Sequence, residues 1–477
     1  MSQEDKPNAI NLIPTSDTGL TEYSAGLIKR GLESLTYSLE RTVHFPEHRS
    51  MGKLSLRYKD SVPEDWMSED REILGDAKGT IIVPGDKDLY ISVWEEVFND
   101  LSPFAALGPE DLQGIACYID KVEISNDELR YFRGLTSLRE LKLICIRFPF
   151  NTKSMFSDAG LQYLQGLILL QRLYLHRTQV SNAGMKYLKG LSSLQWINMG
   201  HTLVTDEGLK YLRDLTSLMR ISLYETKVNG TGLQHLQGLN LLQELDLGNT
   251  QVNEANLKYI QKLTSLKKLG LWGTQVSSDG LRYLQGLTSL KVLDLGDTQV
   301  SDTGLEYLKE LTSLQELNLR NISRIRINMN IGMTKTGVIS DPGLKYLKRL
   351  TSLQKLDLWG THVREFGLSY LQELTSLQEL VLTYTQVNDE GLSYLQNLTS
   401  LRELDLWGTQ ITDYGLKYLQ GLTSLQELNI GSTRVSDEGL KYLRGLTSLK
   451  RITLDRSRVT SAGQQYLKHN LPAIHVS

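Results

Sequence analysis

The chain has 477 residues, with 52 Lys and Arg against 55 Asp and Glu and a net charge of −3. No overall basic field therefore argues for nucleic acid. Its two cysteines, Cys117 and Cys145, belong to no C-x-x-C pair, which argues against a disulfide framework or a structural zinc. The opening residues, MSQEDKPNAINL, are polar and acidic rather than a basic stretch leading into an apolar one, and no apolar run approaches bilayer length. The reading is a cytoplasmic protein with no membrane partner.

Residues 1–42 read as a polar tail followed by an amphipathic helix. Tyr23, Leu27, Ile28, Leu32, Leu35 and Leu39 recur at helical spacing between Thr21 and Arg41, the pattern of a helix with one apolar face. Residues 43–100 change character. Leu54, Leu56 and Tyr58 alternate with polar residues, as do Thr80–Val83 and Leu89–Val93, and Pro84-Gly85-Asp86-Lys87-Asp88 lies between the last two. This predicts a small β-rich unit containing a hairpin, with an acidic stretch from Glu64 to Glu72 outside it.

From residue 101 a repeat takes over. A leucine recurs at 138, 170, 194, 218, 242, 266, 290, 314, 353, 377, 401, 425 and 449. Most steps are 24 residues, and the exceptions are 138 to 170 and 314 to 353. The unit beginning at Leu401 is LRELDLWGTQITDYGLKYLQGL, of the form L-x-x-L-x-L-x-x-T-x-V/I followed by S/T-D-x-G-L-x-Y-L-x-x-L. Leu404 and Leu406 flank Asp405 with the period of a short strand. Thr412-Asp413 can cap a helix, and Leu416, Leu419 and Leu422 follow at helical spacing. A fixed period of this size means stacked units, each a strand, a corner and a short helix, with no unit able to bury its core alone. Residues 101–135 read as an N-terminal cap, thirteen full repeats run from 138, and 471–477 form a C-terminal cap.

The pattern resembles the leucine-rich repeat family, in a variant with Thr where commoner forms carry Asn or Cys. The resemblance implies a curved α/β solenoid with parallel strands on the concave face and short helices on the convex face, and it covers about three quarters of the chain. The segments VHFPEHRSMGKLSLRY, GTIIVPGDKDLYISV and DLSPFAALGPEDLQGI are similar to those that precede bacterial arrays of this repeat. The family binds many unrelated partners, so the fold alone names none.

Catalysis has little to stand on. No nucleophile-elbow, phosphate-loop, H-E-x-x-H or C-x-x-C pattern occurs, and the expectation is a non-enzyme with no cofactor and no metal. The recurring Thr (Thr178 to Thr433) reads as a buried hydroxyl satisfying the corner backbone. The recurring helix Tyr reads as packing, and the recurring Asp (Asp206, Asp302, Asp389, Asp413, Asp437) as a cap. His176 and His201, about one unit apart, read as two histidines of a binding face, because a zinc site needs a third protein ligand.

Binding has more support. Outward positions on stacked strands are free of the core, and in this chain the early units depart most from their own consensus. Arg172, Tyr174, His176, Arg177, Trp196, His201, Arg220 and Tyr224 stand there, followed by Trp272. Aromatic and Arg side chains are the usual anchors of binding surfaces. Arg139, Lys142, Arg172, Arg177, Arg220 and Lys227 outnumber Glu140 and Glu225 across the first four units, which points to a protein partner with an acidic or mixed surface. The two long steps place insertions around Phe148–Phe156 and Asn321–Ile339 on one rim, the second carrying Arg324 and Arg326. Long loops on a rigid scaffold commonly carry function. The expectation is a protein–protein interaction scaffold that binds on this face and these rim loops. One alternative is the substrate-recognition subunit of a ubiquitin ligase. The repeat is also similar to that of F-box leucine-rich-repeat proteins, although no F-box precedes the array and the cysteines of that class are missing. Another is nucleic-acid binding by the basic rim loop. No small-molecule ligand is expected.

Overall fold

The computed structural model describes residues 40–59, 71–94, 97, 100–119, 126–145, 156–321 and 337–477. The expected N-terminal helix lies outside these apart from its last two residues, and Arg41 already begins a strand. Most of the acidic stretch and of both insertions, including Arg324 and Arg326, also lies outside them.

The N-terminal strands are β1 (Arg41–His44), β2 (Lys53–Tyr58), β3 (Glu72–Asp76), β4 (Thr80–Val83) and β5 (Lys87–Trp94). The expected hairpin between β4 and β5 does not form. β4 pairs antiparallel with β1, while β5 is flanked by β2 on one side and by β6 (Gly114–Ile119) on the other. Both edges of β5 are thus occupied, and the turn closed by Lys87 N–H on the Pro84 carbonyl sends the chain into a different sheet. The pairing of β5 is antiparallel to β2 and parallel to β6. From β6 the sheet continues in parallel through β7 (Glu140–Cys145), then through three-residue strands from β8 (Arg172–Tyr174) to β19 (Arg451–Thr453), and ends on β20 (His475–Val476). One sheet therefore crosses the boundary at residue 100 without interruption.

Equivalent residues of successive units lie in register: Arg172, Trp196, Arg220, Glu244 and Lys268 form one row. The recurring leucines fill the space behind the sheet, and nearly all are fully buried in one continuous cluster that also takes in Val43, Phe45, Met51, Leu54 and Leu56. The ten corner threonines are buried, and each hydroxyl donates to the carbonyl three residues back, as Thr178 does to Leu175 at 2.7 Å and Thr409 to Leu406 at 2.6 Å. Most of the helix tyrosines rest partly buried on the core, while Tyr370 and Tyr466 are exposed.

Two features of the unit differ from expectation. The convex segments are tighter than α-helices. Some are one α turn passing into 3₁₀, as Asp206–Leu209 into Lys210–Leu212, and others are 3₁₀ throughout, as Ser278–Leu284. A 24-residue circuit leaves few residues for the convex side, and 3₁₀ covers more distance per residue. The recurring Asp, moreover, does not cap its own helix. Asp413 accepts the backbone N–H and the hydroxyl of Ser436, both at 2.7 Å, and Asp437 does the same for Thr460. Each carboxylate therefore caps the next unit. It also explains the glycine of S/T-D-x-G. A Cβ on Gly439 would lie 2.5 Å from the Asp413 carboxylate, so the Asp of one unit requires the Gly of the next.

The eighth residue of the unit turns the corner with a left-handed backbone. Gly273, Gly360 and Gly408 adopt positive φ there, but so do Arg177, His201, Glu225, Asn249, Asp297, Tyr384, Ser432 and Arg456. A left-handed conformation costs an L-residue about 1–2 kcal/mol. A ladder of backbone bonds holds these corners, including Arg177 N–H to Gly200 and His201 N–H to Tyr224.

The join between the N-terminal strands and the array also carries a buried ionic cluster. Glu140 is 2% exposed and is met by Arg71 at 2.6 Å, Arg172 at 3.0 Å, and Arg57 and Lys142 at 3.5 Å. Arg57 and Arg71 also lie over the ring of Tyr90. Burial alone would raise the Glu140 carboxyl, but Lys142, Arg71, Arg172 and Arg57 outweigh it and hold it down to about 2.

Two predictions follow from these arrangements. Glu140→Gln leaves four cations without their countercharge and lowers stability at neutral pH by about 3–5 kcal/mol, read as a drop in denaturation midpoint. The carboxyl is held from 4.5 down to about 2. A depressed pKa stabilises fully above the unfolded value and loses that contribution as pH falls through the folded one, so the gap between wild type and variant closes from pH 4.5 down through 2. Separately, Arg456 has a side chain 75% exposed and a left-handed backbone. Arg456→Gly raises stability by about 1 kcal/mol, the left-handed strain relieved less the extra entropy of Gly, and an unchanged or lower midpoint would contradict that.

Candidate binding face

Three rows of side chains rise from the sheet opposite the leucines. The first contains Arg172, Trp196, Arg220, Glu244, Lys268 and Val292, and the second Tyr174, Asn198, Ser222, Asp246, Gly270 and Asp294. The third follows the strands and reads His176, Gly200, Tyr224, Gly248, Trp272, Gly296 and Arg320 in successive units.

The alternation of large and absent side chains in the third row has a steric cause. A Cβ on Gly248 would meet the Tyr224 ring at 2.9 Å, and one on Gly296 would meet Trp272 at 2.7 Å. Each ring leans over the glycine of the following unit. Tyr224 reaches the next large residue of the row, stacking near-parallel on Trp272 at 6.2 Å between centroids, and the corner residue His201 lies edge-on to Tyr224 at 5.4 Å. Arg320 continues the row over Trp272 and Trp359, at 5.4 and 5.0 Å.

The second row is less free than an outward position suggests. Its Asp and Asn residues accept the backbone N–H two residues on, as Asp246 does from Gly248 and Asp294 from Gly296, both at 3.0 Å. These bonds hold the corner. Burial pushes both carboxyls up, Asp294 to about 6, against the pull of the Gly296 N–H and Arg320.

Over the early units the face hollows into a cleft of about 760 Å³. It gathers Tyr174, His176, Arg177, Trp196, His201, Arg220, Tyr224 and Trp272, eight of the nine described residues singled out from the sequence. Arg172 is the exception, since it is drawn under the surface by Glu140. The eight are not equivalent. Tyr174 is 2% exposed beneath Lys142 and Trp196, and Trp196 is 8% exposed beneath Arg220. They form the floor and cannot serve as protruding anchors. His176, Arg177, His201, Tyr224 and Trp272 are half-buried and line the space itself.

The two histidines touch edge-on at 4.9 Å, and His201 Nδ1 lies 2.9 Å from Glu225. Burial, then His201 and Arg177, push His176 down to about 4, and burial also lowers His201 against the pull of Glu225. His176 is therefore a neutral imidazole at pH 7. Among the described residues no group of three or more His, Cys, Asp or Glu is placed to hold a metal ion, and no helix is long and apolar enough to cross a membrane.

The excess of cations counted from the sequence is mostly spent within the protein. Arg139 pairs with Asp88, Lys142 and Arg172 with Glu140, and Arg220 with Glu244. The face is mixed rather than basic. Sequence reading missed Glu244, Asp246, Lys268 and Asp294, which line the cleft; Glu244 and the two aspartates match the consensus of the repeat, and Lys268 recurs as Lys355 in the same row. The signal that could have found them is the glycine alternation, which marks where space opens on this face.

Comparison with known proteins agrees with this architecture. The family described as Leucine Rich repeats (2 copies) matches residues 399–442, and that described as Leucine Rich repeat matches 286–309 and 373–395. Among solved structures, a leucine-rich repeat protein of Leptospira interrogans is 20% identical with a TM-score of 0.50, over 77% of this chain and 90% of that one. An internalin of Listeria monocytogenes is 22% identical with a TM-score of 0.49, over 65% of this chain and 88% of that one. No curated protein matches the chain significantly in sequence. At 20% identity the likeness to the Leptospira protein speaks to fold alone. With its thirteen in-register units and the family matches within them, the chain is a leucine-rich repeat protein.

Proposed function

We propose that this protein is a non-catalytic scaffold that holds a partner protein against the concave face of its early units. The observation that carries this reading is the cleft spanning β8 to β13 (Val292–Asp294), floored by Tyr174 and Trp196 and rimmed by half-buried Tyr224 and Trp272. Aromatic groups in a concave, partly desolvated setting are the usual hot spots of recognition. The partner surface that fits is mixed in charge, since the cations of this face are largely paired. The same pairing leaves no broad basic surface for nucleic acid among the described residues.

The test compares capture by wild type, by Arg177→Ala/Tyr224→Ala and by Tyr384→Ala, a residue of a later unit, with partners identified by mass spectrometry. A partner retained by wild type and by Tyr384→Ala should bind the double variant at least about tenfold more weakly, a loss of about 1.4 kcal/mol. Equal retention by all three proteins, with circular dichroism unchanged, would remove the early face as the site.

A further inference from the structure

Within the cleft, two carboxylates stand apart from the rest. Glu225 is paired with His201, and Glu244 with Arg220 and Lys268. Asp246 and Asp294 receive only neutral donors: Gly248 N–H and Ser222 Oγ for the first, Gly296 N–H for the second. They belong to β11 (Glu244–Asp246) and β13, one on each side of β12 (Lys268–Gly270), and the residue between them in the row is Gly270. Adjacent strands lie about 4.8 Å apart, so the two carboxylates face each other across a notch roughly two strands wide with no side chain on its floor. Asp246 Oδ1 leans over that floor, 2.8 Å from where a Cβ on Gly270 would stand. Tyr224 and Trp272, from the strands on either side of Asp246, close the notch along one edge with nearly parallel rings.

The chain shows what such surroundings accept. It lays Lys142 over Tyr174, Arg220 over Trp196 and Arg320 over Trp272 and Trp359. Among the described residues no cation lies over the Tyr224 ring. An aromatic face beside carboxylates in a partly desolvated hollow attracts ammonium and guanidinium groups by both charge and ring quadrupole. Burial raises both carboxyls, the direction a cation arriving between them would reverse.

Resting on the scaffold reading above, we propose that the notch over Gly270 is an anchor pocket for a cationic side chain of the bound protein, an Arg or Lys. Its charge sits between Asp246 and Asp294, and its methylenes lie along Tyr224 and Trp272. The partner segment that enters the cleft is therefore basic at this point, although the partner's surface as a whole is mixed.

The test uses the full chain and three probes: the capped tripeptides Gly-Arg-Gly, Gly-Lys-Gly and Gly-Glu-Gly. The readout is the indole N–H signal of Trp272, assigned by its loss in Trp272→Phe. The Arg and Lys probes should shift that signal saturably in the millimolar range, and the Glu probe should not. Asp294→Asn retains the bond to Gly296 N–H but lacks the charge, and should weaken binding at least about fivefold. Gly270→Asn introduces the residue type that Asn198 and Asn318 place at this position; it fills the notch and displaces Asp246 Oδ1, and unchanged circular dichroism and denaturation midpoint establish that the array stays folded. This variant should abolish the response. A response equal for the Glu probe, absent for both cationic probes, or unchanged in Gly270→Asn would overturn the proposal. A partner lost on Arg177→Ala/Tyr224→Ala, combined with indifference to the cationic probes, would leave the scaffold reading standing and overturn only this one.

Discussion

The carboxylate of Asp413 accepts the N–H and hydroxyl of Ser436, 23 residues further along, and the same bond joins unit after unit. Neither group has this partner within its own unit. The bond therefore exists only when two units stand in the correct register, and it fixes that register on the convex side as the strand ladder does on the concave side. Between the two, the leucines have one way to stack. A single unit orders 24 residues at roughly 1–2 kcal/mol each for the backbone alone, more than its own few leucines return at about 1.5–3 kcal/mol apiece. Stability belongs to the interfaces between units.

That dependence separates what a reader of the sequence can find from what is hidden. The leucine spacing and the corner threonines are properties of one unit, and they are legible because each is repeated in plain view. The direction of the Asp cap is not legible. Asp413 sits beside Thr412 in sequence, and only the stacking shows that its partner is Ser436. The pairing of β5 is hidden for the same reason. Pro84–Asp88 looks like a hairpin turn, yet the neighbours of β5 are set by β2 and β6, and no local signal carries that competition.

The face was legible in position but not in energetics. Register follows from the period, so the sequence places Tyr174, Trp196 and Tyr224 on one surface. It does not show that Lys142 and Trp196 cover Tyr174, or that Glu140 draws Arg172 out of reach. Charges counted along a chain say little until their partners are known. Consensus residues were the larger omission. Asp246 and Asp294 repeat elsewhere in the array, and their setting beside Gly270 and two aromatic rings is what distinguishes them.

The alternation of ring and glycine along the third row spans two units, although the fold repeats every one. The backbone is thus indifferent to the number of units, while the face above it distinguishes odd from even. Excision of the single unit that contains Gly248 would set Tyr224 directly beside Trp272, each deprived of the shelf on which it lies. Removal of a pair would return ring to glycine. Over this stretch, the array can lengthen or shorten without disturbing its surface only in steps of two.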